Sequence, residues 1–138
     1  MFATAATRNA PNAYRQVGLH TGVDTASAHQ LVLMLFDGFL DSVAQARGAI
    51  AARNIEAKGR AIGRAVRIVE EGLKASLNLE SGGSIAADLN ALYAYITVQL
   101  TRANVSSDPA LLEECATLLA PVRAAWVAIG DQAAGPAQ

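Results

Sequence analysis

Apolar residues return along this chain in steps of three and four, four times over. The first such stretch opens with a dense run, Leu31 to Leu40, and continues as the line Val32, Phe36, Phe39, Val43, Ala46 and Ile50. Steps of this size keep side chains on one stripe of an α-helix. Leu31 and Leu35 flank that stripe on one side, Leu33 and Leu40 on the other, while Met34 sits near the back beside Asp37 and Asp41. Ser27 followed by Gln30 reads as a capping box, so the first helix is predicted from about Ala28 to Ala52. Two readings of its broad apolar surface stand. Either it lies at the centre of a bundle, or it lines a groove for a partner.

Asn54 is a plausible cap for a second helix, with Glu56 placed favourably in its first turn and Ile55, Ile62, Val66, Val69 and Leu73 as its seam. Arg53, Arg60, Arg64, Arg67 and Lys74 fall on the opposite side, either as a solvated face or as a surface for an acidic partner. Gly82-Gly83 marks a reversal, and a third seam follows as Ile85, Leu89, Leu92, Ile96, Leu100 and Ala103. Asp108-Pro109 then signals a fourth helix, because proline at the first helical position loses no hydrogen bond. Its seam is Leu112, Cys115, Leu119, Val122, Trp126 and Ile129, with Pro121 inside it predicted to bend it. Four amphipathic helices with short joints predict an all-α, antiparallel up-and-down four-helix bundle. Residues 1–24 are irregular, broken by Pro11, Gly18 and Gly22, and are expected to form an arm packed on the bundle of residues 25–130. Residues 131–138 are expected as a flexible tail.

Composition narrows the chemistry. The chain has 138 residues, 52% of them hydrophobic and only 5% aromatic, so its core is aliphatic and alanine-rich. A formal net charge of −1 gives no general field to draw in nucleic acid or an anionic membrane. The longest apolar runs fall short of the ~20 residues that cross a bilayer, and no direct membrane insertion is expected. One cysteine, Cys115, excludes an internal disulfide and fits a reducing cytoplasm; on the fourth seam it reads as an inert core thiol. Arg8 and Arg15 precede the first acid, Asp24, but the segment has neither the serine content nor the amphipathic period of a transit peptide, and reads as part of the mature protein. Catalysis has little to work with. Glu70-Glu71 and Glu113-Glu114 diverge around their helices, no Glu-x-x-His pair occurs for a metal, and His20 and His29 lie outside the bundle centre. No enzyme activity, metal or cofactor is expected.

With these segments in view, the sequence resembles the flagellin export chaperone family, FliS. The resemblance rests on Asn12-Ala13-Tyr14, Thr25-Ala26-Ser27, the run Leu31 to Gly38, Gly82-Gly83, Ile85-Ala86 and Asp88 to Tyr95, in that order and spacing across roughly residues 9 to 129. Ala28 stands where the family usually has proline and Phe36 where it has tyrosine, and Pro121 is a further departure. The resemblance implies a cytoplasmic chaperone that binds the C-terminal segment of flagellin in a hydrophobic groove, prevents premature polymerisation and aids delivery to the flagellar type III export gate. The free protein is then a monomer or weak dimer. A groove for such a client is expected to draw on Leu31, Met34, Leu35, Ile55, Ile62 and Tyr95, with the arm bearing Tyr14 and Val17 folded over it until flagellin displaces it. The competing reading is a generic helical adaptor or dimerisation bundle with no flagellin client.

Overall fold

A computed structural model describes residues 27–78 and 82–133 of the chain. Four helices follow in order. They are α1 (Ala28–Ala51), α2 (Ile55–Arg67, running on into a π-helical turn over Ile68–Leu73), α3 (Gly83–Ser106) and α4 (Pro109–Ala133). The start signals read from the sequence are all present. Ser27 Oγ accepts from the Gln30 backbone N–H at 3.1 Å while the Ser27 N–H donates to Gln30 Oε1 at 3.0 Å. Asn54 Oδ1 accepts from the Ala57 N–H and Asp108 Oδ1 from the Ala110 N–H. Each bond satisfies a backbone donor that the first helical turn leaves without a partner.

The α1–α2 joint is three residues long and closes as a Schellman turn. Arg53 takes the left-handed conformation (φ 56°), its N–H donates to Ile50 O, and the Asn54 N–H donates to Ala49 O. So tight a joint forces α2 back along α1. The α3–α4 joint turns at Ser107, also left-handed at φ 52°. There Lys58 of α2 reaches across, its buried ammonium donating to Asn104 O at 2.9 Å and Ser107 Oγ at 2.7 Å. A cation on the last carbonyls of α3 also opposes the negative end of that helix.

α1 packs on α2 and α4, and α3 packs on the same two, so α1 and α3 lie on the diagonal of an antiparallel bundle. Leu35, Phe36, Phe39, Val43, Ala65, Ile68, Val69, Ile96, Leu100, Leu112, Cys115 and Leu119 fill its centre. α1 is the central helix. Its seam and one of its shoulders are consumed by the core, and Met34 and Leu40 pack partly buried at its edge. α4 continues through Pro121 and beyond Gly130 to Ala133, so residues 131–133 belong to the helix rather than to a tail. The π turn is a feature the periodicity did not announce; within it Gly72 lies directly against the Leu35 side chain.

Candidate functional site: an apolar furrow at one end of the bundle

The seams of α3 and α4 outrun the core. Ile96, Leu100 and Ala103 are buried, Leu89 and Leu92 only partly, and Ile85 at the start of the line stands 72% exposed. In α4 the same gradient runs the other way along the chain, from buried Leu112, Cys115 and Leu119 through half-buried Val122 and Trp126 to Ile129, 53% exposed. Because the two helices are antiparallel, both seams emerge at the same end. There α2 has ended: it and its π turn stop at Leu73, whereas α1 and α3 have 24 residues each. A helix about five residues shorter leaves roughly 7 Å of its neighbours uncovered at 1.5 Å per residue.

The result is a furrow of about 540 Å³. Val32 and Phe36 of α1 form its floor, with Leu73, Ser76 and Leu77 closing one side. Gly82, just before α3, and Ile85, Ala86, Leu89 and Tyr93 of α3 face Pro121, Val122, Ala125, Trp126 and Ile129 of α4 across it. None of the described residues lining it is charged. Polar atoms at its edges are occupied: Ser76 Oγ donates to Gly72 O at 2.9 Å, and the Trp126 indole N–H donates to the His29 carbonyl at 3.0 Å. The His29 ring stacks on the Trp126 ring and its Nε2 meets the Trp126 carbonyl, which ties the start of α1 to the far end of α4. Burial pushes the Tyr93 phenol up to about 12, so the furrow carries no charge from it near neutrality.

An apolar trough of this kind has no nucleophile, base or ion-pair partner to offer a reacting group; it can take apolar side chains out of water. The residues expected in a groove are placed otherwise. Leu31, Leu35 and Ile62 are buried in the core, and Met34 packs partly buried against it. Ile55 stands exposed at the opposite end of the bundle, beside a shallow hollow with Ile50 and Lys58. Tyr95 lies on the outer side of α3, its hydroxyl donating to Glu114 Oε2 at 2.7 Å. None of these lines the furrow; for Leu31, Met34 and Leu35 the reason is the centrality of α1, since α2 and α4 take up the flanks that seemed spare. Tyr14 and Val17 lie outside the described residues.

The arginine stripe of α2 divides. Among the described residues Arg60 pairs with Glu56 on its own helix, while Arg64 turns to α1, donating to Ser42 Oγ at 2.9 Å and approaching Asp41. What sequence reasoning missed was that Ile85, Trp126 and Ile129, assigned to the core as seam residues, line an open trough. The signal was present in their position at the ends of two seams facing a shorter helix.

The fold and this site together describe an all-α helical bundle with an open apolar furrow at one end. The chain matches the family model described as "Flagellar protein FliS" over residues 10–133, and it belongs to that family. It is 40% identical over 121 residues to the flagellar secretion chaperone FliS of Salmonella typhimurium, covering 88% of this chain and 90% of that one. It is 41% identical over 113 residues to the flagellar secretion chaperone FliSB of Pseudomonas aeruginosa, covering 82% and 89%. The Escherichia coli FliS is 38% identical over 114 residues, covering 83% and 84%. The family is one of chaperones rather than enzymes. No described helix is long and apolar enough to cross a membrane.

Proposed function

We propose that this protein is a flagellar export chaperone whose end furrow receives apolar side chains from the C-terminal segment of flagellin. The observation that carries the reading is the emergence of two core seams, ending in Ile85 and Ile129, into one uncharged trough. A client that is disordered before assembly must be ordered on capture, and that ordering absorbs about 2–5 kcal/mol of the gross interaction. A continuous apolar trough supplies what is needed by taking anchors spaced along one face of an amphipathic helix. Capturing such a segment hides the surface flagellin uses to polymerise. The chaperone then holds an unassembled subunit in the cytoplasm until the flagellar type III export gate accepts it. The covering role expected of Tyr14 and Val17 belongs to the same proposal, since an empty apolar patch promotes aggregation unless something shields it.

Isothermal titration of a flagellin C-terminal peptide tests this. Ile85→Glu and Ile129→Glu alter exposed positions, so the melting temperature stays close to wild type while peptide affinity falls at least ~10-fold, the equivalent of 1.4 kcal/mol. Unchanged affinity in both variants refutes the furrow as the client site. Deleting residues 1–17 reads the covering role, which is refuted by unchanged self-association and unchanged peptide affinity.

A further inference from the structure

The furrow holds a polar group that the fold leaves unused. Three polar side chains line it, Ser76, Tyr93 and Trp126. Two of them are bonded within the bundle, Ser76 to Gly72 O and the Trp126 indole to His29 O. The Tyr93 hydroxyl has no hydrogen-bond partner among the described residues, although its residue is only 3% exposed. A buried tyrosine ordinarily bonds its hydroxyl to something, because an unpaired polar group out of water is costly. Its place in the trough is the inner one. Leu89 and Ile85 follow one and two turns outward on the same line of α3, and Phe36, Leu73 and Tyr93 are the most deeply buried of the lining residues.

The chemistry of the hydroxyl narrows what can meet it. An occupant that presents apolar groups alone shuts water out of the trough and leaves the hydroxyl unpaired, which costs affinity. An occupant with one matched polar group gains a bond in the same place. A carboxylate or an ammonium would have to give up its hydration in a trough whose described lining holds no charge to pair with it. Burial keeps the phenol protonated near neutrality, so it offers one donor and two acceptor lone pairs. The backbone groups of a helical segment bond one another and have little to give. What remains is a neutral side chain that can both accept and donate, a carboxamide or a hydroxyl. Sites built around such a bond reject ligands that lack the matching group far better than an apolar pocket rejects a wrong shape.

We propose that Tyr93 is the specificity-determining residue of the furrow, its hydroxyl bonding a neutral polar side chain (Asn, Gln, Ser or Thr) set among the apolar anchors of the client segment. This rests on the furrow being the client site. Tyr93→Phe in the full chain tests it, because the change removes a hydroxyl without removing any bond of the free protein. The melting temperature is then unchanged or higher, while affinity for the flagellin C-terminal peptide falls about 10-fold by titration calorimetry. Peptides in which each Asn, Gln, Ser and Thr is changed in turn to alanine find the partner. One of them binds wild type about 10-fold more weakly than the parent peptide, and binds wild type and Tyr93→Phe equally, the mark of a coupled pair. Unchanged affinity in Tyr93→Phe overturns the proposal, as does a peptide series in which no change removes the effect of the substitution. A lowered melting temperature in Tyr93→Phe also overturns it, by showing that the hydroxyl is already bonded within the free chain. Weaker binding in Ile85→Glu and Ile129→Glu beside unchanged binding in Tyr93→Phe removes this proposal and leaves the furrow standing as the client site. Unchanged binding in the two isoleucine variants removes both.

Discussion

His29 and Trp126 hold each other at both ends. The indole N–H of Trp126 donates to the His29 carbonyl at 3.0 Å, the His29 ring Nε2 meets the Trp126 carbonyl at 2.6 Å, and the two rings stack 4.8 Å apart and 6° from parallel. A carbonyl can only accept, so the imidazole proton sits on Nε2. This clasp joins the first turn of α1 to the last third of α4 and fixes one wall of the furrow.

Gly130 makes the clasp possible. A methyl group there would overlap the His29 ring, including Nδ1 at 2.7 Å. Gly130→Ala is expected to push the imidazole off the indole, costing about 1–3 kcal/mol as other overpacked sites do. Denaturant unfolding measures the loss, and Trp126, the single tryptophan, reports the changed surroundings by fluorescence. In a His29→Ala background the same substitution should cost much less, which a double-mutant cycle reads directly.

A similar close approach is found inside the core. A Cβ on Gly72 would lie 2.7 Å from Leu35 Cδ2 and 3.0 Å from Cδ1. The leucine end is flexible but fully buried, with no free space to swing into. Gly72→Ala is expected to destabilise the protein by about 1–3 kcal/mol, and pairing it with Leu35→Ala should recover part of that loss in the same unfolding assay.

Lys58 closes the α3–α4 corner from a third helix. Lys58→Met keeps most of the aliphatic stem but removes both donors, leaving Asn104 O and Ser107 Oγ without them. A loss of about 1–3 kcal/mol is expected for bonds from a charged donor. Hydrogen exchange should show the end of α3 opening more readily than its middle.

Cys115 and Tyr93 set an alkaline limit. Burial pushes the Cys115 thiol up to about 12 from 9.0, with the nearby Glu114 charge adding to it, and the Tyr93 phenol up to about 12 from 10.0. Both folded values exceed the unfolded ones, so the folded state keeps protons that the unfolded chain releases. The associated stability is complete below about pH 9 and is lost as pH rises from there towards 12. Unfolding free energy measured across that range should fall steeply in wild type and less steeply in Tyr93→Phe. The thiol should resist alkylation in the native state at pH 8 and react on unfolding.

The sequence by itself determined what is local. Ser27, Asn54 and Asp108 cap helices where they were expected to, because a cap depends only on residues within three places of it. Seam spacing assigned Phe39, Val43, Leu100 and Cys115 to the core for the same reason, since a helix repeats its faces whatever surrounds it. Tertiary structure alone decided which apolar faces are covered. Leu31 and Leu35 vanish into the core because α2 and α4 flank α1, whereas Ile85 and Ile129, no less regular in spacing, are left at the surface because α2 stops short. The clasp of His29 on Trp126 and the reach of Lys58 to Asn104 join residues 97 and 46 places apart. Periodicity describes one cylinder at a time, and a furrow is a relation among four.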